Sequence, residues 1–190
     1  MKADLVKCLR VGGVPRWSIV AVNRTQSVAE HSYNVWLITS VLYDILYPTP
    51  HNSPEKQLTL EYALTHDLAE TITGDIPTPA KAMIESINPG LLDKLEGMSL
   101  QLVYPQAINT NRAVVNTPGQ AIVKLADHME ALTYIKKYGG ACEDVEAVIK
   151  RSLWKHLDTT QKRYPQIEWV RAVNYIVEVF PELGGPDPMD

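Results

Sequence analysis

The stretch "YALTHDLAETITGDIPTPAK", Tyr62 to Lys81, decides how the rest of the chain is read. A helical pattern runs into the dipeptide His66-Asp67, and polar residues then crowd together at Glu70, Thr73 and Asp75 around Gly74. Polar groups at the end of an apolar helix are costly unless they are used. Upstream, "VAEHS" supplies His31; downstream, "KLADH" supplies Asp127. Two imidazoles and two carboxylates from three separated fragments form a donor set suited to one divalent cation, on which water becomes a usable nucleophile near neutral pH. An isolated His-Asp pair carries no such meaning; the distant fragments and the polar crowd give it one.

On a helix His66 and Asp67 diverge by about 100°, so both can face one ion. Glu70, four residues after His66 and three after Asp67, returns to that face. The expectation is one long helix from about Pro54 to Ile72 that carries all three residues and ends at Gly74.

Helical spacing continues in both directions, and no segment alternates in the manner of a hairpin. "DLVKCLRV" reads as a short opening helix stopped by Gly12-Gly13, and Pro15 to Gln26 as an ordered loop carrying Arg16 and Trp17. Ser27 is placed to cap "VAEHSYNVWLITSVLYDILY", with Glu30 completing a capping box. A further helix starts with Thr78 as cap and Pro79 in its first turn. "NPGLLDKLEGMSLQLVY" follows, then a loop from Asn109 to Pro118, then the long amphipathic helix "GQAIVKLADHMEALTYIKKYG". "CEDVEAVIKRSLWKHLDTTQKRY" and "IEWVRAVNYIVEVF" complete the set. The fold class is therefore all-α: a single helical bundle over residues 1–180 with a mononuclear metal site in its core. Residues 181–190, "PELGGPDPMD", read as a disordered tail.

With 22 acidic against 18 basic residues the net charge is −4, so no broad nucleic-acid surface is expected. Any polyanion has to be met by a local cluster of cations. No apolar run approaches the roughly 18–20 residues that span a bilayer, and "MKADLVKCLRVGG" is too short and too charged for a secretory signal. Cys8 and Cys142 are then expected as free thiols, in a cytoplasmic protein without membrane or nucleic-acid partners.

The stretches "RW" at Arg16-Trp17, "SVAEHS" around His31, "HDLAETITGDIPTPAK" and "KLAD" ending at Asp127 resemble the HD-domain phosphohydrolases. Within that superfamily they resemble the small deoxynucleotide hydrolases, the bacterial 5′-deoxynucleotidases and phage dATP triphosphohydrolases. The H…HD…D set marks the superfamily broadly, and "TGDIPTPAK" with the preceding "RW" is more specific. Beyond about residue 140 the resemblance rests on helical character alone. It implies an HD-domain bundle in which His31, His66, Asp67 and Asp127 bind a catalytic cobalt, manganese or zinc ion, with magnesium at the substrate phosphates in some members. The donor types themselves are borderline and do not choose the metal. The resemblance also implies a homo-oligomer, dimer or higher, and a Trp17 that packs near the sugar and excludes a ribose 2′-hydroxyl. A buried unpaired hydroxyl costs about 1–3 kcal/mol, which is the physical basis of such a filter.

No Gly-Xaa-Ser-Xaa-Gly elbow is present and neither cysteine has a histidine nearby in sequence, so activated water is preferred to a covalent nucleophile. Glu70 is the candidate general acid or base, with Asp75 as its partner near the phosphate; a solvated Glu70 and a capping Asp75 are the structural alternatives. Arg16 suits bidentate contact with phosphate oxygens. Lys81 lies near the start of the "TPAK" helix, whose N–H groups favour an anion. Lys124, three residues before Asp127, is either on the metal-facing side or in a simple pair with that aspartate. Ile19 either presses on the base edge, disfavouring a 2-amino group and so favouring adenine over guanine, or packs in the core. Arg24 is read as solvent-facing. His51, His128 and His156 are given no catalytic role, and Trp36, Trp154 and Trp169 read as core or oligomer contacts.

The expected reaction is metal-dependent hydrolysis of 2′-deoxynucleotides at the α-phosphorus. Three cations exceed what one phosphate needs, and Trp17-Ser18-Ile19 resembles the phage enzymes. Both favour a dATP triphosphohydrolase that releases deoxynucleoside and triphosphate. A 5′-deoxynucleotidase releasing orthophosphate from monophosphates is the alternative. A non-catalytic nucleotide-sensing HD module is the further one; it has no need of both Glu70 and Asp75.

Overall fold

The computed structural model describes residues 2–48, 53–140 and 142–181; His51 and the predicted tail beyond Pro181 lie outside them. After α1 (Leu5–Leu9) and a 3-10 turn (Arg10–Gly13) come α2 (Val28–Leu46), α3 (Pro54–Thr65), the short α4 (Glu70–Thr73) and α5 (Thr78–Ile87). They are followed by α6 (Leu91–Val103), α7 (Ala107–Val114), α8 (Pro118–Tyr138), α9 (Glu143–Arg163) and α10 (Val170–Val179). Among the described residues the only β pairings are two isolated bridges, Pro15 with Ser27 and Val22 with Gly139. The all-α expectation holds. No helix among the described residues is long and apolar enough to cross a membrane.

The core forms where α2 and α8 pack together, with α3, α9 and α10 around them. Val35 and Leu42 of α2, Ile122, Leu125 and Leu132 of α8, Leu153 and Leu157 of α9, and Ile176 of α10 are sealed from solvent. Fully burying one such side chain stabilises the fold by about 1.5–3 kcal/mol. Along α2 the buried stripe reads Val28, His31, Val35, Thr39, Leu42 and Leu46, the three-and-four spacing of one helix face. His31 therefore lies in the line of core residues. The α2 N-terminus is capped as expected, Ser27 Oγ accepting from the Glu30 N–H at 3.2 Å. Arg24 is exposed, as expected, and pairs with the Glu30 carboxylate at 2.7 Å. Trp169 is buried, and Trp36 and Trp154 pack against the core in part. Where α3 meets α8 there is no space at Gly119: a Cβ there would lie 2.3 Å from Thr59 Oγ1.

Three expected boundaries differ. The helix expected over Pro54 to Ile72 stops at Thr65, and the chain turns through His66–Ala69 before α4. The N–H groups of Leu68, Glu70, Thr71 and Ile72 each reach back three residues, so the chain tightens into 3-10-like turns. His66, Asp67 and Glu70 are thus not on one helix. Asn109 to Pro118 is not all loop, because α7 runs to Val114. Its weak sequence signal is overridden by burial of Ala107, Thr110 and Val114 on one face, and Thr110 Oγ1 donates to Glu61 at 2.8 Å. Thr78 opens α5 as its first residue, and Pro77 holds the cap position without a side-chain bond.

Candidate metal centre and active site

His31 projects from the first turn of α2, fully buried, and its Nδ1 lies 2.7 Å from Glu130 Oε2. Burial opposes ionisation of Glu130, but hydrogen bonds from His31 and Asn34 outweigh it and hold the carboxyl below its ordinary value. A carboxylate only accepts, so Nδ1 carries a ring proton and Nε2 is the nitrogen left for a metal. That Nε2 has no hydrogen-bond partner, and lies 3.5 Å from Asp67 Oδ2 and 3.4 Å from Asp127 Oδ1. His66 repeats the arrangement from the end of α3. Its Nδ1 donates to the Ala63 carbonyl at 2.8 Å, and its Nε2, buried and unpartnered, is 3.4 Å from Asp67 Oδ2.

Donors bound at about 2.0–2.2 Å around a tetrahedral ion are roughly 3.3–3.5 Å apart, the spacing seen here. Ligand atoms of His31, His66 and Asp67 all lie within 4.8 Å of one another. Protonation favours the same state. Burial pushes His66 below its ordinary value. Burial works against ionised Asp67, yet His66, His31 and Arg16 hold it at about 2. Asp127 is likewise buried, and Lys124 and the two histidines keep it well below the usual carboxylate range. Neutral imidazoles and ionised carboxylates are the forms that bind a metal. The residues present fit a divalent cation.

His66, Asp67 and Asp127 form part of the wall of a cavity of about 1010 Å³ that Arg16, Trp17, Ile19, Asp75, Lys81 and Lys124 also line, with His31 fully buried beside Asp67 and Asp127. Arg16 and Trp17 reach it because the loop before α2 is stitched shut: the Arg16 N–H bonds Gln26 O at 2.8 Å and the Val28 N–H bonds Val14 O at 2.9 Å. Arg16 Nη1 lies 3.0 Å from Asp67 Oδ2, and its Nε is buried without a partner. Lys124 Nζ is 2.6 Å from Asp127 Oδ2, so it both pairs with the aspartate and lines the cavity. Ile19 is 66% exposed, which removes core packing as its role. Glu70 opens onto a smaller recess of about 220 Å³ that shares His66, Asp67 and Lys81 with the main cavity. Burial first, then the charge of Asp67, pushes Glu70 up to about 8. Its Oε1 meets Lys81 Nζ at 3.2 Å, and its Oε2 is unpaired. Gly74, at φ 72, turns the chain to Asp75 in a conformation that suits glycine.

Residues 6–139 match the family described as 5′-deoxynucleotidase YfbR-like. The chain belongs to this family. It is 31% identical to the dATP triphosphohydrolase of Acinetobacter phage SH-Ab 15497, over 94% of this chain and 91% of the phage protein. It is 29% identical to the 5′-deoxynucleotidase YfbR of Salmonella paratyphi B, over 84% of this chain and 83% of that protein. The cyanophage S-2L HD phosphohydrolase DatZ, solved bound to dA and one catalytic Zn²⁺ ion, superposes with a TM-score of 0.71 at 26% identity. That similarity covers 94% of this chain and 99% of DatZ.

In this YfbR-like chain several site features were not singled out from sequence. Glu130, which orients His31, lies three residues after Asp127, and a lone acid in the apolar run "HMEALTYI" is the signal that marks it. Gln26 is fully buried between Trp17 and Glu130, and nothing in its local sequence announces that. His128 and His156, given no catalytic role, both line the main cavity with their rings 5.8 Å apart. Burial pushes His128 down to about 4, with Lys124 adding to the effect, so it is neutral near pH 7.

Proposed function

We propose that this protein is a metal-dependent phosphohydrolase that cleaves 2′-deoxynucleotides at the α-phosphorus, acting as a dATP triphosphohydrolase. One observation carries the reading: two buried, unpartnered imidazole nitrogens converge on two carboxylates in the wall of a cavity that also presents Arg16, Lys81 and Lys124. The volume of about 1010 Å³ leaves room for a triphosphate beyond the nucleoside, and phage relatives named dATP triphosphohydrolase support the same choice. His31, His66, Asp67 and Asp127 hold the cation in this reading. When bound, it supplies Lewis acidity at a phosphoryl oxygen and lowers the pKa of water from about 15.7 to roughly 7.

In the reaction, water oxygen joins the α-phosphorus, the bond to the 5′-oxygen breaks, and that oxygen leaves with a proton. Glu70 is the proton carrier, through the Oε2 that Lys81 does not engage, with Asp75 as its partner beside the phosphate. Arg16 presents its unpartnered Nε–H to phosphate oxygens, with Lys81 and Lys124 flanking. Trp17 walls the sugar and Ile19, at the loop tip, meets the base. The protein works as one domain over residues 1–180, in the cytoplasm, as a homo-oligomer whose mass light scattering would report.

A second reading is a 5′-deoxynucleotidase acting on monophosphates. Its support is that each of the three cations already faces a carboxylate, Arg16 on Asp67, Lys124 on Asp127 and Lys81 on Glu70. Less positive charge is then free for phosphates than the count suggests. Metal-loaded protein offered dATP, dGTP, dAMP and ATP separately decides between them. Deoxyadenosine and intact triphosphate from dATP is the expected result. Orthophosphate from dAMP with dATP untouched establishes the second reading, and no turnover of any substrate leaves a sensing module.

A further inference from the structure

Trp17, Gln26, Glu130 and His31 form one unbroken hydrogen-bond chain. The Trp17 indole N–H donates to Gln26 Oε1 at 3.0 Å, and Gln26 Nε2 donates to Glu130 Oε1 at 2.5 Å. Glu130 Oε2 accepts from His31 Nδ1 at 2.7 Å, and Asn34 Nδ2 adds a donor to Oε1 at 3.0 Å. Gln26 and His31 are 0% exposed and Glu130 is 3% exposed, so solvent does not replace any of these three. An indole N–H only donates and a carboxylate only accepts, which leaves the Gln26 amide one workable orientation between them.

The same helix also grips the face of the indole. Asp127, Glu130 and Tyr134 follow one another at spacings of three and four on α8, and so share a face. Tyr134 stacks on Trp17 with centroids 5.7 Å apart and planes 5° from parallel. Trp17 holds a backbone φ of 66, a left-handed conformation for a bulky residue. Such a conformation is strained for a side chain of this size and persists only where surrounding contacts impose it. Here the edge and the face of the ring are both fixed from α8.

We infer that Gln26 and Glu130 are positioning residues that tie the cavity-lining indole of Trp17 to His31, so that sugar selection and cation binding share one support. This rests on the cavity being a deoxynucleotide site. Loss of Gln26 frees the indole and leaves the His31–Glu130 contact in place. Loss of the Glu130 carboxylate disturbs both ends.

Three readouts test it in the full-length protein: zinc affinity by competition with a chelator, the Trp17 indole N–H resonance (assigned by its disappearance in Trp17→Phe), and the kcat/KM ratio of dATP to ATP. If dAMP is the substrate, the ratio of dAMP to AMP takes its place. Gln26→Leu is expected to move the resonance and lower the ratio about fivefold or more, the worth of a hydrogen bond, with zinc affinity unchanged. Glu130→Gln is expected to weaken zinc binding about 10–100-fold, and to lower the ratio even at saturating zinc. The reciprocal double variant, Gln26→Glu with Glu130→Gln, rebuilds a carboxylate–amide contact and is expected to restore the ratio but not the zinc affinity. It also serves if Gln26→Leu does not fold. An unmoved resonance or unchanged ratio in folded Gln26→Leu overturns the inference. Full zinc affinity in Glu130→Gln, or a folded double variant without the restored ratio, does the same. If the parent hydrolyses no deoxynucleotide, the proposed activity fails, and the zinc and resonance readouts still decide the inference.

Discussion

His31 sits on the core stripe of α2, whereas His66 sits where α3 stops and the chain turns. Both present Nε2 to Asp67 Oδ2, and His31 Nε2 also faces Asp127, but their Nδ1 atoms are held differently. His31 leans on a buried carboxylate from α8; His66 leans on the Ala63 carbonyl, one of the groups a helix end leaves without a partner. Asp127 likewise belongs to the middle of a long buried helix and Asp67 to a turn. One half of the site is therefore fixed by bundle packing. The other is fixed by the way a helix ends, and Glu70 and Asp75 follow it in the chain. The lesson is that a metal-binding imidazole needs an acceptor for its second nitrogen, and that core and helix end supply one by different means.

The comparison is broken most directly at the donors. Alanine at His31, His66, Asp67 or Asp127 is expected to lower kcat at least about 10³-fold, some 4 kcal/mol of barrier, with metal content measured alongside turnover. A His66→Ala protein within tenfold of the parent rate would place the helix-end half outside the working site. Next in size is Gly119→Ala, at the contact that spaces α3 from α8. Overpacking there is expected to cost about 2 kcal/mol, a drop of roughly 4–8 °C in Tm, and to weaken metal binding by pushing the halves apart. An unaltered melting curve would mean that Thr59 turns away freely.

Metal removal sharpens the contrast further. After chelation, amides from Leu68 to Ile72 are expected to exchange at least about tenfold faster, while those of α2 and α8 near His31 and Asp127 change little. Equal acceleration in both would show the helix-end half to be no more adjustable than the core. The smallest effect concerns His156, on the cavity wall beside α8. Burial holds it below its ordinary value, although its Nε2 bonds Ala121 O at 2.8 Å. The unfolded chain then takes up this proton first as pH falls below about 6.5, so folding stability declines on the acidic side and is retained above it. Urea midpoints at pH 7.5 and 5.5 check the sign, with His156→Gln expected to flatten the slope.

Much of this was legible in the sequence because α2 and α8 bury apolar residues at regular three-and-four spacing, and because His31, His66, Asp67 and Asp127 stand in short recognisable stretches. The break after Thr65 was not legible. Residues 66–69 keep helix-like composition, and only the tertiary arrangement selects bonds to the third residue back. The helix α7 was missed because its buried face is Ala107, Thr110 and Val114, small or polar residues that leave little apolar periodicity. Glu130 was readable in principle, as an acid on the stripe that contains Asp127. Gln26 was not, since its partners lie 9 and 104 residues away.

The loop that carries Trp17 has a consequence for descent with modification. Its seams are backbone bonds at Arg16 and Val28, at Asn23 to Tyr138 O, and at Gly140 to Ala21 O. Ser18 and Ile19 lie between these seams, in a turn closed by the Val20 N–H on Trp17 O. Substitutions at these two positions redraw the rim of the cavity without disturbing either half of the metal centre. On the proposed reading, in which Ile19 meets the base, a lineage would exchange one preferred base for another while its hydrolytic machinery is inherited intact.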